Sequence, residues 1–269
     1  MAGGLSSGNL ANVRVLAVDL DGVVYQGKTM LSGADEAIHR LRQNGLKVFF
    51  TTNSSGKTRA DIARKLANMG IPAVEDDVLT SAYTAGCLIR GMGGNPRVLV
   101  IGMEGLKEEI TRAGADIVMG LPCDFVVVGL DTAFSYDKIH LSMEAIRGGA
   151  TFVACNRDVS FPGDQGRMFP GCGPIVAAVE AAVGFPPQYL AGKPNVLMLD
   201  IIAACCHAGP DEILVVGDSV ESDIGMAIAF GSPSVLVGAK ASQSGAGTLR
   251  SFYRIESLAE LPRMVEGRT

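Results

Sequence analysis

The stretch Val13-Arg14-Val15-Leu16-Ala17-Val18-Asp19-Leu20-Asp21-Gly22 decides the reading of this chain. Its first six residues have the length and branching of a strand buried on both faces, so Asp19 and Asp21 are expected at the strand's carboxyl end. In open parallel sheets, ligands bind along that edge. Alternation sends residues two apart to the same side, and a bend at Gly22 lets both carboxylates face one ion or one substrate. Two carboxylates at one place raise each other's pKa unless a cation compensates them, which argues for a bound hard cation, Mg²⁺. An Asp-rich turn after an edge strand is the competing reading of Asp-x-Asp taken alone.

Working outward, the chain has 269 residues and is 48% hydrophobic, enough for one large domain plus an insert. A net charge of −5, with no run of four basic residues, gives no footprint for nucleic acid or for an anionic membrane surface. Apolar runs such as Phe125-Val126-Val127-Val128 are too short to span a bilayer, so no membrane association is expected. The Gly/Ser-rich residues 1–12 lack the pattern of a secretory signal and read as a disordered tail, which makes a cytoplasmic protein the expectation. The cysteines at 87, 123, 155, 172, 205 and 206 show no Cys-x-x-Cys spacing. Disulfides and structural zinc are therefore not expected, and these residues read as small buried hydrophobes.

Strand-like runs at 13–20, 46–51, 97–101, 124–130, 151–154, 213–217 and 234–237 alternate with helical patterns. The helices are expected over 33–43, 58–68, 81–91, 135–147, 174–183, 194–207 and 222–230. This alternation predicts an α/β protein with a Rossmann-like, doubly wound parallel sheet. The tracts of chemical interest follow the first, second and penultimate strands, while the middle of the chain carries its own strands and helices. The predicted organisation is a core of residues 1–82 and 185–269 with a smaller α/β domain inserted over 83–184.

Three further tracts could carry chemistry. Thr51-Thr52-Asn53-Ser54-Ser55-Gly56-Lys57-Thr58 offers hydroxyls and free N–H groups at a helix start, a concavity suited to an anion. Its ending imitates a P-loop, but that motif needs glycine where Thr51 stands, and capping by Ser54 or Ser55 is the simpler alternative. In Gly192-Lys193-Pro194, the proline is expected to open a helix and so to fix the direction of Lys193. A solvent-exposed lysine is the competing reading. Asp218 and Asp223 follow the strand at 213–217 in an acidic turn, where Asp223 could equally be a helix cap. Together, Asp19, Asp21, Asp218 and Asp223 would form the oxygen-rich site that Mg²⁺ accepts.

In this order and at strand ends, Asp19-Leu20-Asp21-Gly22, Thr52-Asn53, Lys193 and Gly217-Asp218 to Asp223 resemble the four motifs of the haloacid dehalogenase superfamily. Gly22-Val23-Val24-Tyr25-Gln26-Gly27, Thr52-Asn53-Ser54-Ser55 and Gly192-Lys193-Pro194 are similar to its NagD-like and p-nitrophenyl phosphatase branch. The resemblance implies a Mg²⁺-dependent phosphatase acting on small phosphorylated metabolites, with the insert as an α/β cap. It implies Asp19 as nucleophile, Asp21 as acid and base, and Lys193 as the cation that offsets transition-state charge. Gly22, Thr52, Asn53 and Ser54 would cradle the phosphoryl oxygens. Asp19, Asp21 through its carbonyl, Asp218 and Asp223 would hold the metal. Carbon–halogen hydrolysis needs no second aspartate, so Asp21 speaks against it; a catalytically silent binding protein is the reading from another class.

In the insert, Cys155-Asn156-Arg157-Asp158 resembles the Asn-x-Asp segment of such caps, which makes Asn156, Arg157 and Asp158 candidates for leaving-group recognition. An ordinary polar turn is the alternative. Arg157 and Arg167 could meet a second anionic group. Caps of this type often pair subunits, so a homodimer is an expectation of the resemblance.

Overall fold

The computed structural model describes residues 10–163, 167–238 and 252–266, and the chain divides into two compact units. The first comprises Met1–Thr52, Ala63–Val78 and Lys193–Thr269. Its frame is a six-stranded sheet in the order Tyr253–Ile255, Ser234–Val237, Ile213–Gly217, Val15–Asp19, Lys47–Thr52, Val78–Thr80. The pairings from Tyr253–Ile255 through to Lys47–Thr52 are parallel. All five residues of Val15–Asp19 are buried, as a strand flanked on both sides requires. The chain leaves this central strand toward Lys47–Thr52 on one side and returns through Ile213–Gly217 on the other, so the strand order reverses beside Asp19. Parallel α/β sheets open a crevice at such a reversal. The helix Ala34–Gln43 buries Ala34, Ala37, Ile38 and Leu41, the single stripe expected of a helix packed on a sheet.

The second unit comprises Asn53–Ile62 and Leu79–Gly192. Its five-stranded sheet runs Tyr189–Leu190, Thr151–Ala154, Phe125–Val128, Arg97–Ile101, Asp116–Val118, with every pairing parallel. Phe152, Val126, Ile101 and Leu106 lie at the centre of its core. The fold is thus a doubly wound α/β core with an inserted α/β unit. Compact units meet at 52/53, 62/63, 78/79 and 192/193, where the sequence reading puts 82/83 and 184/185. Strand pairing of Tyr189–Leu190 with Thr151–Ala154 carries the second unit on to Gly192. At its other end, the Ser81 hydroxyl donates to the carbonyls of Asn53 and Ser54, and Arg59 forms a buried ion pair with Glu109 at 2.9 Å.

Several local expectations are corrected. The helix expected from residue 194 begins at Leu197, because residues 193–196 form a turn in which Asn195 Oδ1 accepts from the Leu197 N–H. The helix expected over 222–230 is a π-helical turn, Val220–Ile224, followed by the helix Gly225–Phe230. Most of the proposed tail, residues 1–9, lies outside the described residues, but Leu10–Asn12 forms a 3₁₀ turn with Leu10 buried. All six cysteines are free thiols; Cys155 and Cys172 are buried as expected, whereas Cys205 is exposed. Among the described residues, no helix is long and apolar enough to cross a membrane.

The helix Glu104–Arg112 was not expected, because Gly105 lowers helix propensity near its start. There is a reason for that glycine. A Cβ at this position would overlap the backbone of Lys57 and lie 2.6 Å from the Lys57 carbonyl oxygen. Helix propensity favours alanine over glycine by about 1 kcal/mol, yet overpacking against a rigid neighbour costs about 1–3 kcal/mol. Gly105→Ala is accordingly expected to lower the midpoint of urea denaturation; a raised midpoint would show that the backbone at Lys57 gives way freely.

Candidate active site

Asp19, Lys193, Asp218 and Asp223 meet at the carboxyl end of the first unit's sheet. Val18 pairs with Val216, so the two neighbouring parallel strands finish level and deliver Asp19 and Asp218 to the same edge. Lys193 Nζ donates to Asp19 Oδ1 and to Asp223 Oδ1, both at 2.7 Å. Lys193 is 3% exposed and Asp223 fully buried. The other Asp223 oxygen accepts from the Ser219 N–H at 3.2 Å, so this carboxylate is fixed from two sides. Asp223 is thereby a buried partner of Lys193, and the hydroxyl that caps its segment belongs to Ser219, which accepts from the Ser222 N–H.

Oxygens of Asp19, Asp218 and Asp223 lie within 4.8 Å of one another. Gly22, at φ +85°, brings its backbone so close to Asp218 that a Cβ would overlap the carboxylate. Three carboxylates thus gather around one ammonium in a mostly buried place. Burial pushes the Asp19 carboxyl well above the ordinary carboxylate range, with Asp223 and Asp218 adding to the rise and Lys193 opposing it. Burial alone would lower the Lys193 ammonium, but the charges of Asp19 and Asp223 and its hydrogen bonds to both hold it above the usual lysine value. Hard carboxylate oxygens grouped this closely are the donor set that a divalent cation such as Mg²⁺ takes. The residues fit that ion.

Asp21 is half-buried in a tight loop: the Leu20 carbonyl accepts from the N–H groups of Val23, Val24 and Tyr25, and the Gly22 N–H donates to the Tyr25 carbonyl. Thr52 is buried at the end of its strand in the same unit.

The remaining candidates belong to the second unit. Asn53 Nδ2 donates to Asp158 Oδ1 at 3.1 Å, and Asn156 Nδ2 donates to the Asn53 carbonyl at 2.7 Å. Asn156 Oδ1 also accepts from the Asp158 N–H. Asn156 is buried, whereas Asp158 and Arg157 are exposed. Arg157 forms an ion pair with Glu180 at 2.7 Å. Ser54 is half-buried, its carbonyl accepting from Ser81; the hydroxyl at the following helix start is that of Thr58, which accepts from the Asp61 N–H, and not that of Ser54 or Ser55. Ser55 instead accepts from the Leu130 N–H.

The sequence profile of haloacid dehalogenase-like hydrolases matches residues 16–116, and a second HAD-hydrolase-like profile matches residues 190–261. An acid sugar phosphatase of Staphylococcus epidermidis is 34% identical over 239 residues, 89% of this chain and 90% of the relative. The chain belongs to the haloacid dehalogenase-like hydrolases. Within them it is a phosphatase of the NagD-like and p-nitrophenyl phosphatase branch. The 4-nitrophenylphosphatase of Thermotoga maritima superposes with a TM-score of 0.86 at 28% identity, covering 95% of this chain and 98% of that one. A glycerol phosphate phosphatase of Mycobacterium tuberculosis, solved with magnesium, gives a TM-score of 0.85 at 32% identity, covering 94% of this chain and 78% of that one.

In this haloacid dehalogenase-like hydrolase, sequence reasoning missed the residues that hold the site in place. The Ser219 N–H that holds Asp223, and the Tyr25 N–H and carbonyl that hold the Asp21 loop, are backbone groups, which leave no signature in side-chain chemistry. Ser81 begins a helix and had no reason to be read as the anchor of the Asn53 segment.

Removing the ammonium tests the cluster's balance. Losing one partner of a buried ion pair costs about 3–5 kcal/mol. In Lys193→Met, Asp19 keeps the burial that raises it and loses the charge that opposes the rise. A carboxyl raised above its unfolded value holds protons that the unfolded chain releases, so stability falls as pH rises through the folded value. The variant should be less stable relative to wild type at pH 8 than at pH 5, measured by urea denaturation in EDTA. Equal losses at both values would mean that Asp19 stays ionised without Lys193.

Proposed function

We propose that this phosphatase hydrolyses phosphomonoesters of small metabolites, sugar or polyol phosphates foremost, in the cytoplasm and with Mg²⁺ as cofactor. The observation that carries the reading is the buried grouping of Asp19 with Lys193, Asp223 and Asp218. Relatives named acid sugar phosphatase and glycerol phosphate phosphatase support the substrate class, and p-nitrophenyl phosphate is a suitable test substrate. Six free thiols fit a reducing compartment.

Asp19 Oδ attacks phosphorus in line as the bond to the ester oxygen breaks, giving an aspartyl phosphate. Lys193 fixes the attacking carboxylate and offsets charge on the phosphoryl group. Asp21 hands its proton to the departing oxygen, which leaves as an alcohol. Water then attacks the phosphorus, Asp21 takes a proton from it, and the bond to Asp19 breaks to release inorganic phosphate. Gly22, Thr52, Asn53 and Ser54 bind the phosphoryl oxygens. The Asp19 and Asp218 carboxylates and the Asp21 carbonyl, supported by Asp223, would hold the cation, which would neutralise phosphoryl charge when bound. The second unit acts as the cap, and its Asn156 and Asp158 contact the leaving group. Arg157 is a weaker candidate for that role, since Glu180 already occupies its guanidinium.

Phosphate release from p-nitrophenyl phosphate and a panel of sugar, polyol and nucleotide monophosphates, with Mg²⁺ or with EDTA, tests the proposal. Mg²⁺-dependent release that falls by about 10³-fold or more in Asp19→Asn is expected, as for loss of a nucleophile. Release that survives Asp19→Asn or EDTA would overturn the mechanism, and no release across the panel would overturn the substrate class.

A further inference from the structure

Outside the cluster just described, one cation makes a contact that the reaction scheme does not use. Lys65 lies in the part of the helix Arg59–Asn68 that belongs to the first unit. Its Nζ stands 3.1 Å from the centroid of the Tyr25 ring and donates to the Gly27 carbonyl at 2.7 Å. Tyr25 and Gly27 belong to the short hairpin that follows Asp21, in which Tyr25–Gln26 pairs with Thr29–Met30. Lys65 therefore grips that hairpin at two points, by a cation–π contact and by a charge-assisted hydrogen bond.

The hairpin matters because of where its backbone ends. Both peptide neighbours of Asp21 are tied to Tyr25: the Leu20 carbonyl accepts from the Tyr25 N–H at 3.1 Å, and the Gly22 N–H donates to the Tyr25 carbonyl at 2.8 Å. Asp21 itself forms a bridge with Tyr25. Tyr25 is 4% exposed, and burial first, then the charges of Asp21 and Asp19, push its phenol above the ordinary tyrosine range. Movement of Tyr25 would move the peptide units on either side of Asp21. A general acid displaced by about 1 Å loses much of its effect.

We propose that Lys65 is a positioning residue for Asp21: by clamping the Tyr25 ring and the Gly27 carbonyl, it holds the loop that aims the Asp21 carboxyl at the leaving oxygen. This rests on the role given to Asp21 in the proposed function. It has a consequence that a merely structural lysine would lack. A nitrophenolate leaves readily without a proton, whereas the alkoxide of a polyol phosphate needs one, so misaimed acid catalysis penalises the second substrate selectively.

The test compares kcat/KM of wild type, Lys65→Met, Lys65→Arg and Asp21→Asn on p-nitrophenyl phosphate and on glycerol phosphate, because kcat/KM covers only the steps through aspartyl-phosphate formation and leaves out the later step in which Asp21 acts as base for every substrate. Met keeps the alkyl stem and removes the charge; Arg keeps a cation able to stack and donate. Lys65→Met is expected to lose about tenfold or more on glycerol phosphate and about twofold or less on p-nitrophenyl phosphate, with Lys65→Arg recovering most of the difference. The ratio of the two rates is taken within one preparation, so a partly unfolded variant does not alter it. A Lys65→Met variant that loses equally on both substrates, while Asp21→Asn shows the selective loss, overturns the positioning role and leaves the proposed function standing. If Asp21→Asn shows no selectivity either, the acid role of Asp21 falls and the role of Lys65 falls with it.

Discussion

One buried ammonium organises the site. Lys193 sits between Asp19 and Asp223, and each carboxylate reaches it from a different part of the sheet edge. Without that cation, Asp19 and Asp223 would face each other across a space from which water is largely excluded. With it, the central strand, the turn after Gly217 and the turn before the helix Leu197–Cys206 are pinned at one point. A sheet supplies the rough position of these groups. The ion pairs supply the last ångström.

Such an arrangement is poor value as a source of stability. Burying charges costs several kcal/mol per ion before their attraction is counted, and a hydrophobic replacement of matching shape often does as well or better. Its merit is electrostatic order. The donors and charges are already aimed, so little reorganisation is needed when charge shifts during a reaction.

Sequence reasoning went furthest where chemistry and periodicity coincide. The strands Arg97–Ile101, Thr151–Ala154, Ile213–Gly217 and Ser234–Val237 were read to their observed ends, because buried parallel strands are unbroken apolar runs bounded by turn residues. Short edge strands such as Asp116–Val118 and Tyr189–Leu190 were missed: two or three half-exposed residues carry no period. The cluster residues were legible because aspartates and a lysine following apolar runs are unusual in themselves. Less legible was anything fixed by a partner distant in sequence. That Arg157 would pair with Glu180 depends on how a loop lies against a helix, and no spacing rule encodes it. The start of the helix at Leu197 was obscured by Pro194, a residue that suits a first helical turn and an ordinary turn equally well.

The path of the chain between its two units bears on how such a protein can be altered. It crosses from one to the other four times, and the short excursion Asn53–Ile62 is separated in sequence from Leu79–Gly192. The second unit is therefore no simple cassette spliced into a loop. Its buried Arg59–Glu109 pair and the Ser81 bonds to Asn53 and Ser54 join the two excursions. A recombination event that exchanged only the longer segment would part these partners and leave the buried base Arg59 without its acid Glu109. Grafting a new selectivity onto this scaffold requires both segments to travel together, which makes point substitution a shorter evolutionary route to new substrates than exchange of whole domains.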